Sequence, residues 1–119
     1  MATEAQHQSA VFKWSQAVRG KHPELKLMHA IPNGGKRDKI EAAHLKQQGV
    51  KPGVPDIHLP VARRGFHSLY IEMKSELGRT SAEQDWWIQE LIGFGNDVHV
   101  CYGWQAAVQV LEWYLGGGA

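Results

Sequence analysis

Cysteine is nearly absent. Cys101 stands alone among 119 residues, so no intrachain disulfide can form. It lies in the apolar run Val98-His99-Val100-Cys101-Tyr102, where a small buried hydrophobe is the expected role, not a nucleophile. No apolar stretch approaches the ~20 residues of a membrane-spanning helix. The opening residues, MATEAQHQSAVFKW, lack the charged-then-apolar layout of a secretory signal, so a cytoplasmic chain is expected. There is no internal repeat and no low-complexity linker. Seven histidines include no pair at the spacing of a zinc site, and structural zinc is not expected. His29 and His58 read as packed or surface residues.

Net charge is also small, at +1. Its distribution is uneven. Residues 1–64 hold eleven Lys or Arg against five Asp or Glu, and residues 65–119 hold two against seven. Such asymmetry fits one basic face and one acidic region, or charges mixed again by folding. The length suits one domain with one core, spanning 1–119 with a frayed tail at 116–119.

Helical spacing of Ala10, Val11, Trp14, Ala17 and Val18 gives a helix over 3–19, with Thr3 as cap and Gln6 in the capping-box position. Gly20 and Pro23 end it. Leu25 to Ile31 reads as a short extended segment closed by the turn Pro32-Asn33-Gly34-Gly35. Lys36 to Gln48 reads as a basic helix ending at Gly49, and residues 51–55 as a rigid turn. A strand from Asp56 to Val61, a hairpin-like link at Arg63-Arg64-Gly65 and a strand from His67 to Lys74 follow. Thr80-Ser81 caps a helix over 82–94, Val98 to Tyr102 is a third strand, and Gln105 to Leu115 is a last helix. This order implies an α/β fold with a small mixed sheet flanked by helices.

On the strand before Gly78, Leu69, Ile71 and Met73 face one way while Tyr70, Glu72 and Lys74 face the other. An acid and a base two residues apart can be a surface ion pair. The apolar flanks make the strand central, and a central strand seldom carries two exposed charges. Asp56 follows Gly53-Val54-Pro55, which lets the chain turn sharply and then stiffens it. A lone Asp at a strand start is usually a turn residue. Beside Glu72 on a neighbouring strand, it becomes a carboxylate ligand for Mg²⁺ or a similar cation. Two carboxylates for a cation and one lysine for a water or a phosphate charge are what phosphodiester hydrolysis needs.

Pro55-Asp56 followed by Glu72-Met73-Lys74 resembles the PD-(D/E)XK nuclease superfamily. The surroundings sharpen this. Ile31-Pro32-Asn33-Gly34-Gly35-Lys36, the run from Leu45 to Asp56, Ser81-Ala82-Glu83-Gln84 and the run from Val98 to Gly103 look like the VRR-NUC family, over roughly residues 4–115. The resemblance implies a restriction-endonuclease-like core and a divalent-metal-dependent DNA endonuclease using Mg²⁺ or Mn²⁺. It places Asp56, Glu72 and Lys74 at the catalytic positions. It makes Gln84 a support of the metal site, although Ser81 and Gln84 also satisfy a capping box. It brings Glu4 to the metal, although a first-turn carboxylate also suits the helix dipole. Met73 fills the variable position, its backbone carbonyl a further metal ligand.

Beside such a core, Asn33, Lys36, Arg37 and Lys39 become DNA-backbone contacts, with a solvated basic face as the alternative. Lys51 is a candidate of the same kind, as are Lys46, Arg63 and Arg64. Trp86 and Trp87 point about 100° apart on a helix, so one of them suits a subunit interface. The family's short stand-alone members, resembling phage or prophage proteins, imply a homodimer in a bacterial or phage-infected cell. Branched DNA, such as a Holliday junction, is the implied substrate. A non-catalytic DNA-binding module on the same fold and a nuclease acting on RNA are the alternatives.

Overall fold

The computed structural model describes residues 1–32 and 38–116. The turn around Asn33, the basic residues Lys36 and Arg37, and all but Gly116 of the C-terminal tail lie outside the described residues.

Helix α1 (Glu4–Ala17) starts on the expected capping box. Gln6 N–H donates to Thr3 Oγ1, and the Thr3 amide donates to Gln6 Oε1. The helix buries Val11 completely and leaves Trp14 and Val18 partly buried. The segment expected to be extended from Leu25 is instead a 3₁₀ turn, Pro23–Leu27, followed by a two-residue strand β1 (His29–Ala30). Pro23 presets the φ of the first turn. With three residues per turn, Leu25 and Met28 both reach the core. A straight strand would have turned residues three apart to opposite faces.

Helix α2 (Lys39–Gln47) begins after Asp38, whose side chain accepts from the Glu41 amide. It ends before Gly49, which has φ +97°. Strand β2 (Ile57–Leu59) joins β3 (Leu69–Lys74) through a tight turn at Arg64 and Gly65, with φ of 53° and 84°. Two successive positive φ values match the right-handed twist of an antiparallel pair. Helix α3 (Ala82–Gly93), β4 (Asp97–Tyr102) and α4 (Trp104–Gly116) complete the chain.

The sheet order is β1-β2-β3-β4. β1 and β2 pair antiparallel, as do β2 and β3, while β3 and β4 run parallel. The architecture is therefore the expected mixed sheet flanked by helices. On one face Ile57, Leu59, Leu69, Ile71, Met73 and Cys101 meet Val11 of α1 and Ala107, Leu111 and Tyr114 of α4. Tyr114 is fully buried, and its hydroxyl donates to the Val61 carbonyl (2.6 Å) and accepts from the Arg63 amide (3.2 Å). Burial of Cys101 pushes its thiol up to about 11, which suits its expected inert role. The opposite face of β3 carries Tyr70, Glu72 and Lys74. No helix among the described residues is long and apolar enough to cross a membrane.

Candidate active site

Antiparallel pairing sets Ile57 opposite Ile71. One step further along the ladder, Asp56 comes opposite Glu72, on the face that α3 approaches. The Met73 amide donates to Asp56 Oδ2 at 2.8 Å, which fixes the Asp56 carboxylate against β3. Gly53 makes the approach possible. Its φ is +91°, and a Cβ there would lie 2.9 Å from backbone atoms of Glu83. The turn into Asp56 thus packs directly on the first turn of α3.

Glu72 and Lys74 are both buried, at 1% and 6% exposure, although each carries an ionisable group. Lys74 Nζ lies 3.5 Å from Glu72 Oε2. Gln84 links them: its Nε2 donates to Glu72 Oε2 at 3.0 Å, and its Oε1 accepts from Lys74 Nζ at 3.0 Å. The same Oε1 accepts from the Ser81 amide at 2.8 Å, while Ser81 Oγ accepts from the Gln84 amide. Two donors converging on Oε1 define which end of the amide is oxygen. The capping and site-supporting roles weighed for Gln84 are therefore one arrangement: the cap presents the side chain to the site.

Glu72 Oε1 is buried and has no hydrogen-bond donor among the described residues. Burial, and then the Asp56 carboxylate beside it, push the Glu72 carboxyl up to about 8 against the pull of Lys74. A buried carboxylate beside a half-buried one, with an oxygen facing no donor among the described residues, is a site that gains from a cation. Asp56 and Glu72 could hold a hard divalent ion. Met73 sits between Glu72 and Lys74 with its side chain in the opposite core.

Glu4 occupies the exposed first turn of α1. One turn on, His7 Nδ1 accepts from the Trp104 amide, and Gly103 N–H donates to the Lys74 carbonyl. These bonds bring the start of α1 to the end of β3 that carries Lys74. Among the described residues, no three His, Cys, Asp or Glu side chains form a metal cluster.

Of the basic candidates, Lys39 and Lys51 are exposed, and Asn33, Lys36 and Arg37 lie outside the described residues. Arg63 is engaged by Glu24 at 2.7 Å, and Arg64 donates to the Trp113 carbonyl and lies 4.2 Å from the Trp113 ring. Both serve packing. On the site face, His58 stacks on Tyr70 at 4.1 Å and meets Ser68 Oγ at 3.0 Å. Burial lowers His58 to about 4, in keeping with a packed histidine. Its contact with Tyr70 is not legible in the chain, because the β2–β3 register alone creates it.

A mixed sheet with two facing carboxylates, a buried lysine and a bridging glutamine defines a nuclease-type domain. The chain belongs to the VRR-NUC domain family, a family of nuclease domains, whose pattern matches residues 2–105. It is similar to a solved structure named "VRR_NUC domain protein", at 30% identity and a TM-score of 0.84, covering 99% of this chain and 92% of that one. Comparison with curated proteins gives no match.

Proposed function

We propose that this chain is a divalent-metal-dependent DNA endonuclease that selects branched structures such as Holliday junctions. The observation that carries this reading is the half-buried Asp56 carboxylate beside the buried Glu72, whose Oε1 meets no donor among the described residues and whose Oε2 is bridged by Gln84 to Lys74. Asp56, Glu72 and the Met73 backbone carbonyl would hold Mg²⁺ or Mn²⁺, with Glu4 approaching from α1. The bound ion supplies Lewis acidity toward the phosphate and toward a water.

The chain's own residues do the rest. The Met73 amide keeps Asp56 turned toward β3. Gln84 holds Glu72 Oε2 in place and keeps the Lys74 ammonium within the site. Lys74 then serves as a fixed positive charge for the attacking water and the growing charge on the phosphate. Its buried stem, against which Gly78 packs, leaves it little freedom to swing away. Lys39 and Lys51, with Asn33, Lys36 and Arg37, would contact the DNA backbone.

A homodimer would offer two such sites to a two-fold junction. Exposed Ile92 and Phe94, at the far end of α3, leave apolar surface for it. Mass measurement in solution checks the dimer. The nuclease reading is tested with wild type and Asp56→Ala on branched and linear DNA, in Mg²⁺, Mn²⁺ or chelator. Cleavage by wild type alone, only with metal and preferentially of branched DNA, is expected. Equal cleavage by both proteins would sink the assignment.

A further inference from the structure

Beside the carboxylate site lies an open groove of about 700 Å³. One wall is the turn that leads into Asp56, contributing Val50, Lys51 and Pro52. The other is the start of α3, contributing Ala82, Glu83, Trp86 and Trp87, and Lys46 of α2 lines it as well. Two features make the groove part of the site's framework. Glu83 packs on Gly53 within the turn, so the walls meet in a contact too tight for a Cβ. Gln84, next in the chain, holds Glu72 and Lys74.

The chemistry of the lining is specific. Trp86 is 59% exposed, an unusual cost for so large an apolar ring. It meets Trp87 edge to face, with ring centroids 5.6 Å apart. Two lysines, Lys46 and Lys51, line the same groove, against one acid, Glu83. An aromatic face sharing a groove with two cations matches a nucleotide that is not stacked in a duplex: a ring for the base and ammonium groups for its phosphates. The volume suits a small ligand of that size.

We infer that the groove binds an unpaired nucleotide of the DNA strand beside the scissile phosphate, its base stacked on Trp86 and its phosphates met by Lys46 and Lys51. This rests on the nuclease reading and extends it. A splayed or flapped branch exposes unpaired bases where a continuous duplex does not, so the groove supplies a physical basis for selecting branches of that kind. Trp86 is a positioning and specificity residue in this scheme, outside the catalytic set.

The experiment uses a splayed-arm DNA with 2-aminopurine in the unpaired arm next to the branch, and a blunt duplex of the same sequence. Binding is followed by anisotropy and base fluorescence in chelator. Wild type should prefer the splayed arm and change the 2-aminopurine signal. Trp86→Ala should lose roughly ten-fold in splayed-arm affinity, with duplex affinity unchanged, and Trp86→Phe should keep most of it. Lys46→Ala with Lys51→Ala should flatten the salt dependence of splayed-arm binding. Equal splayed-arm affinity for wild type and Trp86→Ala would overturn the inference. So would a fall in solution mass caused by Trp86→Ala, which would make the groove a contact between copies. If wild type cuts DNA and Trp86→Ala behaves identically, only the groove assignment falls. If wild type neither binds nor cuts any DNA, the nuclease reading falls with it.

Discussion

Replacing Glu72 with glutamine removes a buried carboxyl while keeping nearly every atom in place. The substituted side chain can still accept from Gln84 Nε2, and its amide nitrogen takes the position of the oxygen that faces no donor. The magnitude follows from the raised carboxyl. An unfolded glutamate titrates near 4.5 and the folded Glu72 near 8. Between these values the folded state keeps a proton that the unfolded state has released, so stability falls as pH rises, by about 1.4 kcal/mol per pH unit. By pH 7 the loss reaches at most about 3 kcal/mol, and Glu72→Gln does not suffer it. In metal-free buffer the variant should therefore melt above wild type, by up to roughly 10 °C. The gap should be small at pH 5 and widen toward pH 8. Mg²⁺ should reverse the order, because only wild type offers two carboxylates to the ion. Thermal melts at pH 5, 6, 7 and 8, in chelator and in Mg²⁺, measure all of this. A variant that melts below wild type in chelator at pH 7, or a gap that ignores pH, would refute the reasoning.

Other substitutions probe the supports. Gly53→Ala places a Cβ 2.9 Å from the Glu83 backbone at a φ of +91°, and should cost about 2 kcal/mol in denaturant unfolding while lowering cleavage. Gln84→Ala removes both the cap and the bridge, so stability should drop by about 1–2 kcal/mol together with activity. Gln84→Glu retains the capping geometry but sets a carboxylate against Glu72 Oε2, so cleavage at a given Mg²⁺ concentration should fall with the helix still capped by circular dichroism. Cys101, buried with its thiol pushed up to about 11, should react with a thiol reagent only as the protein unfolds; prompt labelling of the native chain would contradict its packing.

Much of the fold follows from interactions within a few residues of one another. The capping boxes at Thr3/Gln6 and Ser81/Gln84 are three-residue patterns, so both helix starts are legible in the chain. Alternation along residues 69–74 shows that Glu72 and Lys74 share a face, because side chains of a strand point to alternate sides. The Arg64-Gly65 turn is legible for the same local reason. Leu25 is harder: a short apolar run is ambiguous between an extended segment and a 3₁₀ turn, and only the core below it selects the turn that buries Leu25 and Met28 together.

The site divides along the same line. Sequence alone determined which residue types were available: two carboxylates, a lysine, a glutamine at a helix start and a stiff turn before Asp56. Tertiary structure decided what they became. The β2–β3 register sets Asp56 opposite Glu72, sixteen positions later in the chain. The packing of Gly53 on Glu83 brings the start of α3 to that spot, so a capping glutamine also joins Glu72 to Lys74. Trp86, with Trp87 a candidate for a subunit interface, lines a groove next to the carboxylates. Local patterns could not supply these placements, because each depends on contacts between distant segments and on the removal of water from charged groups, which only the folded chain brings about.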